Sequence, residues 1–275
     1  MTPRVLITGG SGGIGAALAR RCARAGAWPI VGYCRRADRA AEVVRQCGAG
    51  EPLAFDLRRD DFGLGRDLPE VDAVVHCAAH YVPERSLLDD HTALEDLLKV
   101  NLFGPLRLTA ALSARSCDLR QVLFILSSAS FCRGTGPYAL SKASALAASR
   151  LLANELTARG IRVDAVAPGW TDTPLAHRAA ESSGRSLARI AAEQGGLLQP
   201  DDIAQLCATL LFNVPRDCPP QLVTYDLRDG DEPVWHPLSG QQRNTLWWLG
   251  QSVTMPRSLR AGASPRLCPS HRPAS

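Results

Sequence analysis

Lysine is almost missing from this chain: only Lys99 and Lys142 stand among its 31 basic residues. Metal-ligand spacing is missing too. Nine cysteines include no Cys-x-x-Cys pair and no Cys/His cluster, so no metal site is expected. An odd count with no framework points to reduced thiols and a cytoplasmic protein. No apolar run approaches the roughly 20 residues of a membrane span, and a first strand beginning at Arg4 leaves no room for a signal peptide. A formal charge of +4 is too weak to argue for a nucleic-acid partner. No acidic residue follows Glu232, while Arg243, Arg257, Arg260, Arg266 and Arg272 do; without those five the remainder carries −1. There is no internal repeat, and no linker before residue 230.

What is present is strand alternating with helix. Arg4 to Thr8 reads as a short buried strand, Ile14 to Ala25 as a helix with Leu18, Cys22 and Ala25 on one face. Further strands are expected at Ile30–Cys34, Pro52–Phe55, Val71–Cys77, Val122–Leu126 and Ile161–Ala167; a last one at Leu222–Asp226 rests on the family resemblance given below. Further helices are expected at Ala37–Cys47, His91–Arg115 and Tyr138–Arg159, the last stopped by Gly160. Near-continuous apolar strands predict a parallel sheet covered on both faces, a doubly wound α/β fold. One domain is expected over residues 1–230, with a mobile lid over substrate at about 172–199. Residues 231–275 form an atypical C-terminal extension, and from Met255 onward Pro, Ser and Arg predict disorder.

In such sheets ligands bind beyond the carboxyl ends of the strands. Thr8-Gly9-Gly10-Ser11-Gly12-Gly13-Ile14-Gly15 follows the first strand and opens the first helix. Glycines let backbone approach a pyrophosphate, and a helix N-terminus offers unpaired N–H groups and partial positive charge. The second strand ends Cys34-Arg35-Arg36, with no acid before the two arginines. Two guanidiniums suit a 2′-phosphate, which favours NADP(H); Asp38 close by keeps NAD(H) possible.

Tyr138 and Lys142 lie four residues apart, so both side chains project from one helix face. With four tyrosines and two lysines, chance gives this spacing about 3% of the time. A phenol beside an ammonium is a tunable proton donor, because the positive charge favours phenolate and draws its pKa toward neutrality. The bland alternative is a solvated helix pair.

These motifs together resemble the short-chain dehydrogenase/reductase family, classical type, over roughly residues 3 to 226. The glycine turn matches the family's cofactor motif through Gly9, Ser11, Gly12, Gly13, Ile14 and Gly15. Asp56-Leu57 resembles the pair that contacts adenine, and Cys77-Ala78-Ala79 falls where the family has Asn-Ala-Gly. Asn101 resembles the active-site asparagine, Ser128 the catalytic serine, and Tyr138-x-x-x-Lys142 the catalytic pair. Pro168-Gly169-Trp170-Thr171-Asp172-Thr173 is similar to the segment closing on the nicotinamide, with Pro168, Gly169, Thr171 and Thr173 as contacts. Pro200-Asp201-Asp202-Ile203-Ala204 matches a late helix start. The interval from Ser128 to Tyr138 is shorter than usual, so Ser127 and Ser130 stand as alternatives. His76-Cys77-Ala78-Ala79, and the turn read through Gly9, Gly12 and Gly15, also look like the family's extended members.

The resemblance implies a Rossmann fold, a homodimer or homotetramer, and interconversion of a carbonyl and an alcohol, as in a ketoreductase of small-molecule or secondary metabolism. Tyr138 would be general acid and base, Lys142 would lower its pKa and hold the nicotinamide ribose, and Ser128 would bond the substrate oxygen. Asn101 would anchor a water linking Lys142 to solvent. Two other readings stay open: a nucleotide-sugar epimerase or dehydratase, and a non-catalytic NADP(H)-sensing regulator. His76 reads as a core histidine, Cys77 and Cys132 as small apolar fillers, and His80 as a residue that could face substrate. Trp247-Trp248 could cover the pocket or pack on a second subunit.

Overall fold

The computed structural model describes residues 2–64, 67–83, 87, 91–115, 118–131, 136–215 and 218–238. Cys132, Trp247, Trp248 and the basic C-terminal segment lie outside them. Strands β1 (Arg4–Thr8), β2 (Trp28–Tyr33), β3 (Glu51–Ala54), β4 (Ala73–His76), β5 (Gln121–Ile125), β6 (Arg162–Pro168), β7 (Gln221–Tyr225) and β8 (Val234–Pro237) form one sheet. Its order is β3-β2-β1-β4-β5-β6-β7-β8. Every pairing is parallel except β7 with β8, which runs antiparallel from Thr224 opposite Val234 to Gln221 opposite Pro237.

Side chains alternate across a strand, so an unbroken apolar strand serves two cores. Leu6, Val74, Val122 and Val163 fall in one buried cluster, while Ile7, Val75, Leu123 and Val166 fall in the other. The helices covering these faces are α1 (Gly13–Arg24), α2 (Ala37–Cys47), α3 (His91–Leu98), α4 (Gly104–Arg115), α5 (Gly136–Thr157), α6 (Pro174–Ser182), α7 (Leu187–Gln194) and α8 (Pro200–Ala208).

The helix expected over 91–115 is broken by a π turn at Lys99–Phe103, centred on Asn101. Pro105, second residue of α4, has no N–H to give the carbonyl four residues back, and that carbonyl belongs to Asn101. Gly104 then passes close to Leu57; a Cβ there would lie 2.7 Å from the Leu57 Cβ. The segment at 172–199 folds as α6 and α7, returning to the sheet where Thr171 bridges Leu198. Strand β8 lies beyond the last strand read from the sequence and extends the sheet by one antiparallel member. Among the described residues no helix is long and apolar enough to cross a membrane.

Candidate active site

Strand order reverses between β1 and β4, and the ends of these strands open a crevice. Thr8 ties the two ends together: its Oγ1 accepts from the Cys77 N–H at 3.0 Å and the Ala78 N–H at 2.9 Å. Gly9 has φ +67°, and a Cβ on it would fall 2.8 Å from the Ala78 Cα, so only glycine passes there. Gly15 packs inward, where a Cβ would lie 2.5 Å from the Gly9 carbonyl oxygen. Gly12 differs: a Cβ there meets nothing within 4 Å, so open space lies over the start of α1. That helix has no side-chain cap to engage its first N–H groups. The turn therefore fits an anion such as a pyrophosphate.

A cavity of about 650 Å³ runs from this turn across the sheet edge to Tyr138. Gly9, Ser11, Gly12, Gly13 and Ile14 line one end; Cys77, Ala78 and Ala79 line its floor. Pro168, Gly169, Thr171 and Thr173 border it from the β6 side, and Ser128, Tyr138 and Lys142 stand at the far end. Gly15, Arg35, Asp56, Leu57 and Asn101 do not line it. Arg36 does, together with Arg39, one helical turn further on. Arg36 is paired with Asp38, Nε to Oδ1 at 3.3 Å and Nη2 to Oδ2 at 3.2 Å, so the acid that kept NAD(H) open engages this guanidinium. Asp56 accepts from the Arg58 N–H at 3.0 Å, while Leu57 is buried against Gly104.

Two serines follow β5, and they part company. The Ser127 side chain lies by the Tyr138 hydroxyl and favours its ionised form. Ser128 Oγ lies instead at 3.4 Å from Arg228 Nη2, beside Asp226. Ser130 is fully buried and approaches the Ser127 N–H through its Oγ at 3.3 Å. Of the alternatives, Ser127 lies beside the phenol, and Ser127 and Ser128 both line the cavity. Tyr81 meets the Tyr138 ring edge-on at 5.4 Å, and its hydroxyl lies 3.0 Å from Ser182 Oγ on α6.

Lys142 Nζ sits 6.0 Å from the Tyr138 ring centroid and donates to the Ile125 carbonyl at 3.0 Å. Burial pushes Lys142 down to about 8, opposed by the Cys77 thiol. Burial pushes Tyr138 up to about 12; Ser127 works against the rise and Tyr81 adds to it. In the protein alone, removal from water is the largest influence on the phenol, and it favours the protonated form. Asn101 lies behind the site. It accepts from the His80 N–H at 2.8 Å and donates to the His80 carbonyl and to Ser141 Oγ, both at 3.0 Å. It pins the loop after β4 to α5, next to Lys142. His80 does not line the cavity; its Nε2 faces Asp96 at 3.1 Å. His76 is a core residue, bonded to Thr109 at 2.8 Å and pushed down to about 3 by burial. Cys77 packs against one of the two cores, as expected of a small apolar filler, and also lines the cavity; burial holds its thiol at about 12.

The last strand contributes a pair that the motifs did not mark. Asp226, buried at the end of β7, receives Arg228 Nη2 at 2.6 Å and Nε at 3.1 Å. Burial opposes its ionisation, yet the bonds from Arg228 and Ser128 keep it below the usual carboxylate range. Gly169 passes tightly over it, where a Cβ would meet Asp226 Cγ at 2.7 Å.

Fold and site together define a class: a doubly wound α/β protein of the Rossmann type, with two hydroxyls and a lysine gathered where the strand order turns. A family model described as enoyl-(acyl carrier protein) reductase matches residues 9–214. The cis-4-hydroxycyclohexanecarboxylate dehydrogenase of Sinomonas cyclohexanicum is 30% identical over 224 residues, 74% of this chain and 87% of that protein. A short-chain reductase of Streptomyces niveus is 30% identical over 233 residues, 75% of this chain and 85% of its own. A short-chain dehydrogenase from Burkholderia cenocepacia, solved in complex with NADP, superposes with a TM-score of 0.69 at 25% identity over 83% of this chain and 97% of that one. The chain belongs to the short-chain dehydrogenase/reductase family of oxidoreductases.

Proposed function

We propose that this protein interconverts a carbonyl and an alcohol with NADP(H), as a ketoreductase of small-molecule metabolism. One observation carries the reading: the Tyr138 hydroxyl, beside Ser127 and backed by Lys142, lines a cavity that also takes in an uncapped glycine turn. The dinucleotide, when bound, supplies or accepts the hydride. The chain's residues supply position and the proton. In reduction Tyr138 gives its hydroxyl proton to the carbonyl oxygen; in oxidation it takes the alcohol proton. Ser127 holds that oxygen by a hydrogen bond as charge develops on it. Lys142 places a positive charge behind the phenol, and Asn101 holds the adjoining loop in register. Thr171 and Thr173 present hydroxyls along the same wall.

Arg36 and Arg39 support NADP(H) over NAD(H), and the Burkholderia cenocepacia relative was solved with NADP. A charge-assisted hydrogen bond contributes about 1.5–3 kcal/mol, so NADPH is expected to bind about tenfold to a hundredfold tighter than NADH. Arg36→Ala with Arg39→Ala should erase that preference, read by fluorescence titration of each cofactor. The activity test is net consumption of NADPH, followed by its absorbance, over a carbonyl panel. Sustained consumption supports a reductase. A bound cofactor with no net consumption on any carbonyl contradicts it.

A further inference from the structure

The cavity wall carries six cations and no carboxylate: Arg36, Arg39, Lys142, Arg178, Arg185 and Arg228. Carboxylates just outside the wall pair with three of them, Asp38 with Arg36, Glu193 with Arg185 and Asp226 with Arg228. Three of the arginines stand on α6, before α7 and after β7, the segments over the catalytic end. Resting on the oxidoreductase reading, we infer that the substrate is an oxyanion-bearing carbonyl compound, its carboxylate or phosphate held between Arg178 and Arg228.

Arg228 is placed for this. Asp226 grips its Nε and Nη2, which fixes the guanidinium plane, and Nη1 makes no hydrogen bond to the described residues. Nη2 also lies 3.4 Å from Ser128 Oγ, and Ser128 adjoins Ser127, the neighbour of the Tyr138 hydroxyl. Arg228 and Tyr138 thus border one cavity, with the neighbouring Ser127 and Ser128 between them. A carbonyl compound that carries an oxyanion can reach both. Arg185 is taken up by Glu193 at 3.0 Å, and Arg36 by Asp38. Arg178 forms no ion pair with the described residues and lines the cavity from α6. An arginine on the lid and another at its base make a clamp. Guanidiniums with N–H groups still free, all of them on Arg178 and Nη1 on Arg228, are recognition groups for planar oxyanions.

The test is binding to the enzyme–NADPH complex, followed by nicotinamide fluorescence, so it does not depend on turnover. The probes are the straight-chain 2-oxo acids from 2-oxobutanoate to 2-oxooctanoate against their methyl esters, and dihydroxyacetone phosphate against dihydroxyacetone. The anionic member of at least one pair is expected to bind about tenfold or more tightly than its neutral partner. In Arg178→Gln that ratio should fall below about threefold, and Arg178→Lys should keep most of it. Arg228→Gln should also collapse the ratio; because it strands the buried Asp226, the exposed Arg178 variants carry the test if it misfolds. Acid-over-ester preference reports a carboxylate site, and phosphate-over-triose preference a phosphate site. Equal binding of charged and neutral partners, no binding of either, or equal weakening of both in the variants overturns the inference. Preferential anion binding with no NADPH oxidation by any carbonyl would instead sink the oxidoreductase reading and leave the anion site standing.

Discussion

Past the end of β5, neighbouring serines have different neighbours, and the proposed reaction ranks them accordingly. Ser127 touches the Tyr138 hydroxyl; Ser128 touches Arg228. Removing a donor to a developing oxyanion lowers kcat about a hundredfold to a thousandfold. Ser127→Ala should therefore lose about that much, and Ser128→Ala should lose less kcat and raise KM; the reverse order in steady-state kinetics would return the role to Ser128. The proton inventory makes a second prediction. Lys142 falls from an ordinary 10.5 to about 8 on burial, so folding releases a proton between those values. Stability rises with pH wherever the unfolded chain holds more protons, so this group's penalty is full below pH 8 and fades as pH rises toward 10.5. Lys142→Met should be more stable than the parent at pH 7 by about 1–3 kcal/mol in urea unfolding, with the gap closing at high pH. A gap that widens on alkalinisation would mean the ammonium is stabilised, not penalised. Tyr138 has the opposite sign: it holds its proton more tightly folded, up to about 12, and its contribution is lost as pH rises through that value.

Helices and strands were legible wherever one rule governs them. Ala37–Cys47 and Arg4–Thr8 match the structure to the residue, because a glycine or a glycine turn ends each one. The break inside 91–115 was written in Pro105, four residues after Asn101, but periodicity alone hides a one-residue slip of the hydrogen-bond ladder. Strand β8 was not legible: Val234–Pro237 is four residues long, ends in a proline, buries a histidine and borrows its order from β7. In the site, the glycine turn, Tyr138 and Lys142 were readable from spacing and Ser127 stood as an alternative, whereas the places of Tyr81, Arg178 and Arg228 depend on how loops return to the sheet. Asn101 is an element-scale residue, since its three bonds tie the π turn, the post-β4 loop and α5 together. Asn101→Ala leaves buried partners unsatisfied and should cost about 1–3 kcal/mol of unfolding free energy. An unchanged denaturation midpoint would show that the loop holds without it.

Across the whole molecule, one sheet serves two cores and turns its carboxyl edge toward a cation-rich cavity. The outer side of α5 carries Leu140, Ser144, Ala147 and Leu151, spaced at helical intervals along one stripe of small and apolar side chains, with Leu151 at 62% exposure. Phe103 on the π turn is exposed at 47%. A stripe of this kind suits a second copy of the chain, and the protein is expected to be a dimer or tetramer by light scattering. Leu151→Glu should shift it toward monomer; a parent that is already monomeric would contradict the expectation.

The most direct test of the account is Tyr138→Phe, assayed for both cofactor affinity and turnover. With the ring and its packing kept and only the hydroxyl removed, NADPH should bind within about threefold of the parent while kcat falls by at least a hundredfold. Turnover that survives the loss of that hydroxyl would show that the proton travels by another route.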